Sequence, residues 1–134
     1  MPELSFRRIP DPEGDSCSFL CWFLPTEEIT RAVVADLKAQ GILAGNFYWY
    51  DNNWHYIRKW DHLKNALTLN ALSPEIRGAV IENTTKPFPE SDAIMSRCIC
   101  TSISLLWTEE QIKDKGEKIV STIKKVLAAQ SVNV

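Results

Sequence analysis

The sequence predicts a two-layer α+β domain, a three- to four-stranded sheet with helices packed on one face. Three observations carry that expectation: an unbroken, aromatic-rich apolar run at residues 16–24, two stretches of helical periodicity that each open on a capping residue, and further β-type runs between them. With 134 residues and 45% hydrophobic content, the chain has material for one core and reads as a single domain over 1–134.

Residues 4–9 suit a short strand, and the Pro, Gly and Asp that follow suit a loop. The run 16–24 is apolar on both faces, with Cys17, Phe19, Cys21 and Phe23 on one and Leu20, Trp22 and Leu24 on the other, which predicts a central strand. Thr26 is placed to cap a helix whose first turn carries Glu27 and Glu28; Ile29, Val33 and Leu37 recur at helical spacing until Gly41 ends it. Residues 42–50 then read as a second strand kinked at Gly45-Asn46 and stopped by Asp51-Asn52-Asn53. A short helix is expected over 54–67, with Tyr56, Trp60, Leu63 and Leu67 on one face, and mostly loop over 69–90. One or two helical turns at 91–95 lead into a β-run at 98–105. Thr108-Glu109-Glu110-Gln111 is a capping box, and the helix it opens runs to about Ala128 with Ile112, Ile119, Ile123 and Val126 toward the core.

Charge narrows the function classes. Fifteen Lys and Arg against 17 Asp and Glu leave a net charge of −2, with no positive field to hold a phosphate backbone. No run approaches the roughly 20 apolar residues that span a bilayer, and residues 1–15 lack the apolar core of an export signal. The expectation is a cytoplasmic protein without membrane or nucleic-acid partners, whose four cysteines are thiols rather than disulfides. Asn83-Thr84-Thr85 then matches a glycosylation sequon by chance.

Cysteine spacing argues against zinc. Cys17 and Cys21, like Cys98 and Cys100, fall inside expected strands, where residues i and i+4 stand about 13 Å apart, too far for the turn that a metal knuckle needs. Core thiols are the simpler reading. His55 and His62 have no hydrolase signature around them, and the five glycines form no phosphate-binding loop. The basic run 113–118 is interleaved with Asp114 and Glu117 and reads as a solvated helix face. One segment stands apart: Phe47-Tyr48-Trp49-Tyr50 followed by Asn52-Asn53-Trp54-His55-Tyr56-Ile57-Arg58-Lys59-Trp60 mixes aromatics, amides, an imidazole and cations. That mixture binds sugars or single-stranded bases through stacking and planar polar contacts.

Taken in order, Arg7-Arg8-Ile9-Pro10, the apolar run 16–24, the helix ending in Gly41-Ile42, the aromatic segment, and Trp107-Thr108-Glu109-Glu110-Gln111-Ile112 make the chain resemble the C-terminal small domain of the DegT/DnrJ/EryC1/StrS sugar aminotransferases. These are pyridoxal phosphate enzymes of fold type I. The blocks Ile9-Pro10-Asp11-Pro12-Glu13-Gly14-Asp15 and Ser91-Asp92-Ala93-Ile94-Met95-Ser96-Arg97 look most like the branch that aminates C8 of an octulosonic acid. Phe47, Asn53 and Ser102 depart from the wider family pattern, which has His, His and Pro there.

The resemblance implies a substrate-closing domain for amino transfer from glutamate to a keto-sugar acid. It puts the Schiff-base lysine and the rest of the pyridoxal phosphate site in a large N-terminal domain, so this chain alone would hold no cofactor and carry no catalytic residue. It implies a homodimeric parent enzyme. Substrate contacts are expected from Tyr48, Asn53, His55, Arg58 and Arg97: Asn53 toward sugar hydroxyls, Tyr48 by stacking or its phenol, His55 and Arg58 toward a carboxylate, and Arg97 in reserve. The alternative is a stand-alone module for a small ligand or single-stranded RNA.

Overall fold

The computed structural model describes residues 1–52 and 54–131. Among them, three strands form one antiparallel sheet in the order β1-β2-β3, with β1 at Ser5–Phe6, β2 at Phe19–Phe23 and β3 at Cys98–Ser102. The helices are α1 (Glu27–Ala39), α2 (Asp61–Lys64), α3 (Pro74–Thr85), α4 (Pro89–Met95) and α5 (Glu109–Ser131). The α+β class is as expected, and the apolar run does supply the central strand.

The register Cys21↔Cys100 and Trp22↔Ile99 sorts the side chains. Strand pleating puts Trp22, Leu24, Ile99 and Thr101 on one face; all four are buried, and the three apolar ones join a common cluster with Val33 and Leu37 of α1 and Ile123 of α5. The Trp22 indole N–H donates to Thr101 Oγ1 at 3.0 Å, so its one polar atom is satisfied inside the core. The opposite face carries Phe19, Cys21, Phe23, Cys98 and Cys100. Cover there is thinner: Phe19 is 44% exposed, and on the packed face Leu20 at the strand's start is 41% exposed, so β2 is not enclosed on both sides as its composition suggests.

Capping chemistry sets both long helices. Thr26 Oγ1 accepts from the Ile29 N–H, and Thr30, Val33, Val34 and Leu37 turn one buried stripe inward. The Thr108–Gln111 box forms in both directions, at 3.0 and 3.2 Å. Polar ties of Asp36 with Lys125 and of Gln40 with Thr122 join α1 to α5. Ile123 is fully buried, worth about 2 kcal/mol of apolar transfer, whereas Ile112 is 52% exposed and lies off the core that the sequence assigns it to.

Three further expectations fail. Residues 42–50 are no strand: Gly41 and Gly45 take φ of +63° and +73°, which turns the chain twice, and Trp49–Asp51 closes as a 3-10 turn. A single bond from the Cys100 N–H to the Phe47 carbonyl, 2.8 Å, meets the outer edge of β3. The helix expected over 54–67 is broken into a 3-10 turn at Ile57–Lys59 and the one-turn α2, leaving Leu67 exposed. The loop expected over 69–90 contains α3, capped by Ser73 with Pro74 in its first turn. Among the described residues none of α3 is buried, so it has no apolar stripe for sequence periodicity to reveal.

Candidate functional site

The aromatic segment folds as an anchored ridge at the open edge of β3. Phe47, Tyr48 and Tyr50 are buried, and the Tyr48 hydroxyl donates to the Ser96 carbonyl at 2.7 Å. Burial drives the Tyr48 phenol well above its ordinary pKa. Arg31 of α1 lies over the Tyr48 and Tyr50 rings and grips the Asp51 carboxylate with two N–H groups at 2.8 and 3.2 Å. Tyr48 is therefore a pillar of the ridge, with its ring and hydroxyl turned inward.

Past the 3-10 turn, Asn52 organises the surface. It is buried, and its Oδ1 accepts from the Trp54 and His55 N–H groups at 2.9 and 3.0 Å, an Asx turn that its amide extends to His55 Nδ1 at 3.0 Å. The imidazole of His55 is thereby laid flat on Trp49, centroids 3.9 Å apart and planes 5° from parallel. Phe19 supports Trp49 edge-on from the sheet. Trp54, 74% exposed, stands beside this stack. Asn53 lies outside the described residues.

Arg58 is committed to a partner. Its Nε donates to Asp92 Oδ1 at 2.8 Å while a second N–H meets Oδ2, and the Tyr56 hydroxyl donates to the same carboxylate. The Arg58 contact first, then the Tyr56 hydrogen bond, hold Asp92 below the usual carboxylate range against the opposing cost of burial; burial and Asp92 together push the Tyr56 phenol up to about 12. Arg97 is engaged too, its Nε donating to the Ala93 carbonyl at 2.7 Å at the end of α4. The structure thus unites His55 with Trp49 and Asn52, and Arg58 with Tyr56, but turns Tyr48 and Arg97 to structural bonds.

Sequence reasoning passes over Asn52, Asp92 and Lys115. Asn52 has a signal, since Asn accepts N–H groups two and three residues on in turns. Asp92 has none, being 34 residues from Arg58. Lys115 departs from the solvated-face reading of 113–118: its amine donates to the Ile42 carbonyl at 3.1 Å and sits 5.0 Å from the Trp107 ring centre. It opens on a recess of about 220 Å³ with Phe47, Ser102, Ser104 and Trp107.

That recess is the best place among the described residues to ask whether pyridoxal phosphate would fit. It has a lysine and an aromatic ring, but no carboxylate in its lining to pair with a pyridinium nitrogen, and the residues present do not fit the group. Of the two histidines, His55 has its Nδ1 engaged by the Asn52 side chain. No cluster of metal-ligating side chains occurs among them, and none of their helices is long and apolar enough to cross a membrane. Compared with the models of known protein families, the chain matches none.

Proposed function

We propose that this chain is a substrate-covering domain that binds and orients a keto-sugar acid of the octulosonate type for amino transfer from glutamate, the pyridoxal phosphate being held by residues other than these. The observation that supports the reading is the ridge of Trp49, His55 and Trp54, with His55 stacked flat on Trp49 and Trp54 exposed, in the same segment of chain that carries Arg58. Flat apolar faces suit the C–H side of a sugar ring, and polar ring edges suit its hydroxyls. Arg58 has five N–H donors, of which the pairing with Asp92 engages one edge of the fork, and others remain for a substrate carboxylate. Substrate held this way gives up its freedom of orientation before the chemistry begins.

The test joins gene to protein. The DNA upstream of the Met1 codon is read for an in-frame segment bearing a Schiff-base lysine, and the encoded polypeptide is assayed for 2-oxoglutarate release from glutamate with an 8-keto octulosonate. Arg58→Ala should lower kcat/KM for the sugar roughly ten- to a hundredfold at unchanged fold. Absence of transfer overturns the reading, as does micromolar binding of a short single-stranded RNA to the ridge at physiological salt, which belongs to the stand-alone module.

A further inference from the structure

Three of the four cysteines share the thinly covered face of the sheet, and two of them are directly opposed. Cys21 pairs with Cys100 across β2 and β3, and their sulfurs lie 3.0 Å apart. The hydrogen bonds identify the kind of pair. The Cys100 N–H points away from β2, to the Phe47 carbonyl, and the Cys21 carbonyl accepts from the Arg7 N–H on the β1 side at 3.0 Å. Cys21 and Cys100 are therefore a non-hydrogen-bonded pair, the position at which antiparallel Cα atoms approach to about 4.5 Å. That falls within the roughly 4.4–6.8 Å that a disulfide spans, so the two thiols stand within bridging reach. Cys98 stands one pleat further along, opposite Phe23.

Access is one-sided. Cys21 is half-buried and lines a recess of about 200 Å³ with Phe6, Arg7, Cys17 and Phe19, whereas Cys100 is 2% exposed. Burial pushes the Cys98 thiol up to about 12 and raises Cys100 as well, so neither meets an oxidant readily. Arg7 brings a positive charge to the recess, shared with Asp15.

We propose that Cys21 and Cys100 form a reversible oxidation site for hydroperoxides, Cys21 as the entry thiol and Cys100 as the resolving thiol. With hydrogen peroxide, Cys21 sulfur attacks one oxygen, an S–O bond forms as the O–O bond breaks, and the departing oxygen takes up the thiol proton and leaves as water, an organic hydroperoxide releasing its alcohol instead; the product is a sulfenic acid. Cys100 sulfur then attacks Cys21 sulfur; the S–S bond forms, the S–O bond breaks, and the oxygen leaves as a second water with the Cys100 proton. Two thiols lose two electrons and one peroxide gains them. Placement at 3.0 Å offsets the low acidity of Cys100, because the second step is intramolecular. This site is independent of the sugar-binding reading.

Reduced protein is treated with hydrogen peroxide, alkylated and mapped by mass spectrometry. The expected product has lost two hydrogens, keeps two of its four thiols open to alkylation, joins the Cys21 peptide to the Cys100 peptide, and returns to four thiols with dithiothreitol. Cys98→Ser should form the same link, and Cys100→Ser should leave a Cys21 sulfenic acid that dimedone captures. A link through Cys17 or Cys98, or oxidation of Cys21 to the sulfinic acid with no link in the unsubstituted chain, overturns the proposal. The peptide map of the unsubstituted chain decides the matter even if a variant fails to fold.

Discussion

Helices α1 and α3 are nearly equal in length, 13 and 12 residues, and each begins on a hydroxyl that accepts an N–H from its first turn, yet they belong to different parts of the molecule in energetic terms. Four residues of α1 are buried against the sheet and α5; none of α3 is buried among the described residues. Helix α3 instead spends its side chains on its own backbone, with Asn83, Thr84 and Thr85 donating to carbonyls one turn back at 2.7–2.9 Å. A cap decides where a helix starts. Burial decides how firmly it is held and whether its pattern shows in the sequence.

The largest effect that can break this comparison is a matched pair of truncations. Leu37→Ala in α1 removes a fully buried side chain and should cost roughly 2–5 kcal/mol, while Ile76→Ala in α3, 55% exposed, should stay within about 0.5 kcal/mol in denaturant unfolding. Equal costs would show that α3 packs more tightly than its exposure implies. Hydrogen exchange sharpens the contrast without mutation: α3 amides should open locally and exchange on the order of a hundredfold faster than those of α1, which wait for global unfolding.

Cap removal comes next in size. Thr26→Ala and Ser73→Ala each lose one bond worth about 1 kcal/mol, but the Thr26 change should lower the global midpoint and the Ser73 change should only quicken exchange in α3. The smallest effect concerns the tie between the ridge and α4. Asp92 has a folded pKa below its unfolded value of about 3.9, so its contribution is complete above that value and fades as pH falls through the folded pKa. With Arg58 half exposed, that contribution is about 1 kcal/mol or less. Asp92→Asn should therefore unfold more easily than the parent near pH 6, and the two should converge toward pH 2.

The candidate site was legible by composition more than by geometry. The string 47–60 marks it, and the Asn52 turn could be read from Asn chemistry; that Trp49 rather than Tyr48 faces outward could not, because residues 42–50 read as a strand with alternating sides. Two glycines at positive φ and a 3-10 turn replaced that alternation. Arg58 shows the same limit, its charge being met by a carboxylate that the chain brings back from α4.

What the sequence by itself determined are the features whose causes sit within a few residues. The Thr108–Gln111 box, the Thr26 cap, the apolar central strand and the α+β class all follow from local hydrogen-bond chemistry and hydrophobic pattern. Only the tertiary structure decided which faces those elements bury, that α3 would lie on the surface as a helix without a stripe, that Asp92 would meet Arg58 and Tyr56, and that Cys21 would face Cys100. Each of these depends on groups far apart in the chain, and a one-residue change of register between β2 and β3 would turn the two thiols to opposite faces.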